Sequence, residues 1–474
     1  MPMARTGHLT HYLNKKMMNT ENKNEIRVLS PTAILGYGFP EESFWEGMRR
    51  QPDVIAVDAG STDPGPYYLG AGYSFTDRNA VKRDLAIMIP AALEAGIPCM
   101  IGTAGGSGAR PHVEETIDII KEIVAEKNLH FKMAVIQSEF EKDYIKEKIR
   151  KGDISPLGPV PELKESDVDE SIHIVAQMGE EPYIKALEEG AQVILAGRSY
   201  DPCEFSALAI SKGFDKALAI HMGKILECAA ITALPGSGSD CMLGTLKKDS
   251  FVVEPLNPIR KCTALSVAAH SLYEKSNPYF LPGPGGALDL HETKFNQLSD
   301  TQVEVSGTKF VPTEEYFVKL EGVRRVGYRT MSPAATHDPV MISQIDTVVE
   351  KVRERVEDNF RNSGMKDFYL DFKIYGKKGV MHMFPETPDS QSDELLIIIE
   401  AVAPTQEEAN TICGFARSTM LHYGYEGRIS TAGNLAFPFS PSDCKMGAVY
   451  EFNVYHLMRI EDTCAPFPIT YMNF

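Results

Sequence analysis

The chain has 474 residues, too long for one ordinary core, and its 43% hydrophobic and 24% charged content is that of a globular protein. Its formal net charge of −17 is spread along the sequence and repels nucleic acid and anionic lipid surfaces, which sets both aside as partners. No apolar run approaches the ~20 residues that a bilayer span needs.

Residues 1–25 are polar and lack the apolar centre of a signal peptide, so they read as a disordered extension or a misassigned start. Strand and helix patterns then alternate. Apolar runs at 52–60, 96–106, 131–140, 171–179 and 191–199 are separated by amphipathic stretches such as PHVEETIDIIKEIVAEKN and PYIKALEEG, the latter ending on Gly190. This order predicts right-handed βαβ crossovers, and so an α/β fold with a mostly parallel sheet covered by helices in the N-terminal half. A helix-rich stretch follows over 221–240 and 262–290. Alternation of period two in TQVEVSGTKF and EEYFVKLEGV then predicts antiparallel strands. The last third reads as a smaller C-terminal α+β domain, with strands DFYLDFKIYG and DELLIIIEAVAP, a helix from Thr405 to His422, and a closing strand VYEFNVYHLMRI. The expected domains are therefore 26–340, catalytic with helical and antiparallel additions, and 341–474.

Eight cysteines contain no CxxC pair, and HExxH is absent, so no standard zinc pattern is present. Scattered thiols predict a reduced, cytoplasmic protein.

Ligands of parallel sheets sit beyond the carboxyl ends of the strands, which selects three loops. In GTAGGSGARPH (102–112) there is no GK[ST], and Pro111 stands where a dinucleotide fingerprint needs its third glycine, so the loop carries no nucleotide fingerprint. Gly105, Gly106, Ser107 and Gly108 with Arg110 instead predict a small-anion site at a helix start. The competing reading is a tight turn that needs glycine only for packing. In VDAGSTDPGPYY (57–68), Asp58 and Asp63 flank a substrate or, with a further ligand, hold a divalent metal; the alternative is local capping. In AGRSYDPCEF (196–205), Arg198, Ser199 and Tyr200 suit a carboxylate, with Asp201 as a nearby acid or as the arginine's structural partner. Cys203, near a helix start, is a nucleophile candidate if the helix dipole eases its ionisation; the commoner reading is a packing cysteine.

The most chemically loaded run is HMGKILEC. His221, Lys224 and Cys228 share one helix face, and Glu227 lies within a turn of Lys224, which suits a general base beside an electrostatic clamp for an enolate. A surface ion pair is the plainer reading. His270 and Glu274, at i and i+4, form a second acid–base candidate; the competing reading is a buried histidine fixed by its neighbour.

The stretches VDAGSTDPGPYYLGAG, TAGGSGARPH, LAGRSYDPCEFSALAI, HMGKILEC, NPYFLPGPGGALDL, KLEGVRRVGYRT and HYGYEGRISTAGNLAFPFSPSD resemble the acyclic terpene utilisation (AtuA) family. The resemblance implies a catabolic enzyme that handles a carboxylate or acyl thioester, without fixing the reaction.

The residues add a lyase, which adds or removes water or cleaves a carbon–carbon bond next to the carbonyl of a small carboxylic acid or acyl-CoA. Arg110 and Arg198 hold the carboxylate, His221 or Glu227 moves the proton, and Lys224 or a cation near Asp58 and Asp63 stabilises the enolate. A metal-dependent hydrolase and a non-catalytic subunit of a multi-subunit enzyme are the alternatives. A homo-oligomer is expected, and a small partner subunit stays open.

Overall fold

The computed structural model describes residues 24–273, 277–377, 379–380, 392–429 and 431–474. They form two units, one of residues up to Val323 together with Phe452–Phe474, the other of Arg324–Glu451.

The first unit is built around five parallel strands: β1 (Ile26–Ser30), β2 (Val54–Asp58), β3 (Cys99–Gly102), β4 (Lys132–Ile136) and β5 (Val193–Ala196). The apolar runs of β2, β3, β4 and β5 are nearly continuous because both faces are buried. On β2, Val54 and Ala56 face a core shared with helices Cys203–Ser211 and Lys216–Leu226. Ile55 and Val57 face the opposite core, shared with helices Arg78–Ala95 and Arg110–Lys127. Each such Val or Ile contributes about 1.5–3 kcal/mol. The helices begin and end where local chemistry allows: Asp77 accepts the Asn79 and Ala80 N–H groups at the start of Arg78–Ala95, and Gly96 closes it in a left-handed conformation.

The expectation of a mostly parallel sheet needs correction, because these five strands are only the middle of a mixed one. Beyond β1 come β6 (Met242–Leu246), β7 (Ser250–Pro255), β8 (Lys294–Gln297) and β9 (Val303–Ser306), and beyond β4 comes β10 (Ile469–Asn473). All of these pair antiparallel, in the order β8-β9-β7-β6-β1-β2-β3-β5-β4-β10 among the described residues. Antiparallel neighbours need only a tight turn, such as the one closed between β6 and β7 by the Lys247 N–H donating to the Ser250 carbonyl at 2.8 Å. The predicted run 171–179 yields His173–Ala176, which does not enter this sheet and instead pairs antiparallel with Leu320–Val323.

In the second unit, Tyr369–Tyr375 and Leu395–Ala403 pair antiparallel, and Leu395–Ala403 also pairs with residues 328–336. Helices Ile345–Phe360 and Gln406–His422 bury Val348, Val352, Ile412 and Ala416 against Ile397 and Ile399. The boundary expected near residue 340 falls inside this unit, and Phe452–Phe474 return to the first. No described helix is long and apolar enough to cross a membrane.

Candidate active site

Beyond the carboxyl end of β5 the chain turns through Gly197 into Arg198, which is 2% exposed. Its Nε donates to Glu321 at 2.8 Å, and its Nη1 to Asp201 and to the Ser199 carbonyl, each at 2.8 Å. Burial opposes the guanidinium charge, and Glu321 and Asp201 outweigh it. Burial alone would raise the Glu321 carboxyl, but Arg198 and Lys319 bring it down to about 2. Lys319 lies 2.7 Å from Glu321, and the Thr62 hydroxyl donates to it at 2.9 Å. The arginine expected to receive a substrate carboxylate thus holds two carboxylates of its own chain.

The glycine loop packs against this arginine. A Cβ on Gly108 (φ +67°) would lie 2.0 Å from the Arg198 amide nitrogen, so neither the backbone conformation nor the space admits a side chain. Gly105 and Gly106 lie beneath His112 and Phe75 in the same way. Thr103 adopts φ 42°, ψ 55°, and its hydroxyl accepts the Ser199 N–H at 3.2 Å. A left-handed threonine is strained, and such strain gathers at functional sites. Ser107 is buried, with no hydrogen-bond partner for its hydroxyl among the described residues. An anion does sit at the start of helix Arg110–Lys127, but it is the protein's own. The Arg110 N–H donates to Glu139 at 2.7 Å, and the exposed guanidinium pairs with Glu141 at 2.8 Å. The other Glu139 oxygen lies 2.6 Å from His173 Nδ1.

At the end of β2, Asp58 is buried and accepts the Gly60 N–H at 3.1 Å. Burial, then Asp201 and Glu227, hold its carboxyl well above the usual carboxylate range. Asp63 stands in other surroundings, exposed and receiving the Ser61 hydroxyl at 2.7 Å. Among the described residues no three His, Cys, Asp or Glu side chains are grouped so as to hold a metal ion. Glu204, in the first turn of Cys203–Ser211, is completely buried, and neither carboxyl oxygen has a hydrogen-bond partner among the described residues. Burial, then Asp58, push it well above the carboxylate range. Cys203 is corrected in direction: its thiol is pushed up, by burial and then by Glu180 and Glu204, so the helix start does not ease its ionisation.

Helix Lys216–Leu226 brings Lys224 into a buried ion pair with Glu227. Burial opposes the ammonium charge, but Glu227 and Asp201 keep Lys224 cationic. Its Nζ lies 5.6 Å from the centre of the Tyr273 ring. His270 stacks on that ring at 5.5 Å, and burial, with Lys224 adding to it, lowers its pKa to about 4. Tyr200 packs against Gly283, its phenol pushed up by burial and partly relieved by Lys224. Ser199 bonds Tyr183 at 2.7 Å. His221 is a core histidine, with Nδ1 2.8 Å from the Thr308 hydroxyl, Nε2 2.8 Å from the Ser271 hydroxyl, and Phe251 edge-on to the ring. Glu274 lies outside the described residues.

The structure therefore gathers Asp58, Arg198, Asp201, Lys224 and Glu227 into one electrostatic cluster, with Tyr200 and His270 beside Lys224, and holds Arg110 and His221 in local pairings. The sequence reading missed Glu204 and Glu321. Glu204 carried a signal as the one charged residue in the helix CEFSALAIS.

Residues 72–234 and 251–437 match the family described as Acyclic terpene utilisation family protein AtuA, a range that takes in every cluster residue except Asp58. No curated protein and no solved structure matches the chain. The chain belongs to the acyclic terpene utilisation AtuA family.

Proposed function

We propose that this protein is a catabolic lyase that adds or removes water, or cleaves a carbon–carbon bond, next to the carbonyl of a carboxylic acid or acyl-CoA. The family name ties it to acyclic terpenes, so a branched acyclic acyl thioester is the substrate class. The observation that carries the reading is the buried Lys224–Glu227 pair set among Asp201, Tyr200 and His270. Glu227 takes a proton from the carbon next to the carbonyl, and the Lys224 ammonium stabilises the negative charge that develops on the carbonyl oxygen. Both groups act where water is excluded and charge interactions are strong.

The test is a branched α,β-unsaturated acyl-CoA, whose conjugated absorbance disappears on hydration. Lys224→Met is expected to lower kcat by about 10²–10³. Turnover equal to wild type in that variant overturns the assignment. A non-catalytic binding subunit has one observation of its own, since Arg198 already holds Glu321 and Asp201. Calorimetric binding of the thioester without turnover selects that reading.

A further inference from the structure

Asp58 and Gly102 are register partners on β2 and β3, so their Cα atoms stand about 4.8 Å apart on one face of the sheet. The Glu204 carboxyl fills the space of the side chain that Gly102 lacks: a Cβ there would lie 2.4 Å from its carboxyl carbon. The glycine thus opens a slot in the sheet that seats a second carboxyl beside Asp58. Glu204 is 0% exposed and Asp58 7%, which places Glu204 behind and Asp58 nearer to solvent.

Asp201, Glu227 and Arg198 face Asp58, while Asp58, Asp201 and Glu227 face Glu204, whose other titratable neighbours are the Tyr183 phenol and the Cys203 thiol. Two cations stand in this cluster: Arg198, hydrogen-bonded to Glu321 and Asp201, and Lys224, paired with Glu227. A buried carboxylate that no other described residue donates to, with an acid at its side, is far costlier than a protonated one.

We propose that Asp58 and Glu204 form one proton-holding carboxyl pair, in which Asp58 exchanges the proton with substrate and Glu204 is the positioning residue that keeps it there. The substrate step rests on the lyase reading; the proton on the pair does not. In the elimination direction, Glu227 takes the proton from carbon and the C–H electrons form the double bond. The C–O electrons leave with the hydroxyl, which takes the Asp58 proton and departs as water. The proton on Glu227 then returns to Asp58, and the pair is reset.

Infrared spectroscopy and thermal melts test the pair without any turnover. Wild type at neutral pH is expected to show a protonated-carboxyl absorption that is lost in Glu204→Gln. A carboxyl that must stay protonated when folded gives stability that is lost as the pH rises. Glu204→Gln is therefore expected to melt above wild type at about pH 8 and level with it at about pH 4. If that variant does not fold, Asp58→Asn is read in the same way. Two results overturn the pair: an offset in melting temperature equal at both pH values, or one divalent cation per chain in native mass spectrometry with no protonated-carboxyl absorption. If the pair passes and an active wild type shows the same pH–rate profile as Glu204→Gln, the role at substrate is overturned while the lyase reading stands.

Discussion

Arg198 and His270 show how burial decides which charges a site can use. Arg198 stays ionised because Glu321 and Asp201 face it, and it fits a strand-end arginine read from sequence. Its main partner, Glu321, lies 123 residues further on, and no local pattern could pair the two. His270 has the opposite fate, because burial and Lys224 leave its imidazole neutral at working pH. Its ordinary value of 6.5 is lowered to about 4, so its contribution is present above pH 6.5 and is lost as the pH falls toward 4. The full span is worth roughly 3 kcal/mol. His270→Gln is accordingly expected to flatten the acid side of the stability curve, read by chemical denaturation at pH 7 and at about pH 4; a curve as steep as wild type would contradict that value. His221 looked equally reactive in sequence. The Thr308 and Ser271 hydroxyls that satisfy it lie 87 and 50 residues away, which is why only the fold exposes its structural role.

Helix Arg110–Lys127 shows the same division among the elements. Its extent and its Pro111 start could be read from the heptad-like apolar spacing and the fixed φ of proline. The occupant of its N-terminus could not, because Glu139 arrives from the segment after β4. Burial raises the Glu139 carboxyl, but His173 and the Arg110 N–H outweigh this and hold it below the carboxylate range. Glu139→Gln is expected to cost about 1 kcal/mol at neutral pH. The sign follows from the lowered carboxyl, so the difference from wild type fades as the pH falls below the ordinary 4.5. Urea melts at the two pH values check it, and a loss independent of pH would show that the charge at the helix start is not what stabilises it. The strands divide likewise. Parallel β2, β3, β4 and β5 announce themselves as unbroken apolar runs. Strand β8 (KFNQ) has exposed residues and no such run, and it joins the sheet by pairing with β9.

For the whole molecule, the α/β character follows from alternation along the chain, while the mixed sheet depends on segments far apart in sequence. β10 is the clearest case. Ile469 to Asn473 complete the outer edge of β4, from Ile136 to Lys132, by antiparallel pairing. A variant lacking residues 469–474 is expected to leave that edge open and to aggregate on refolding, measured by light scattering; a monodisperse, equally stable variant would show the edge to be protected in another way.

That pairing also sets an order of events. β4 and the segment that covers it are separated by the entire second unit, Arg324–Glu451. During synthesis the edge of β4 stays bare while that unit emerges from the ribosome, open to any passing chain with a free strand. For this protein, correct assembly depends on keeping that edge unoccupied until its own last partner arrives.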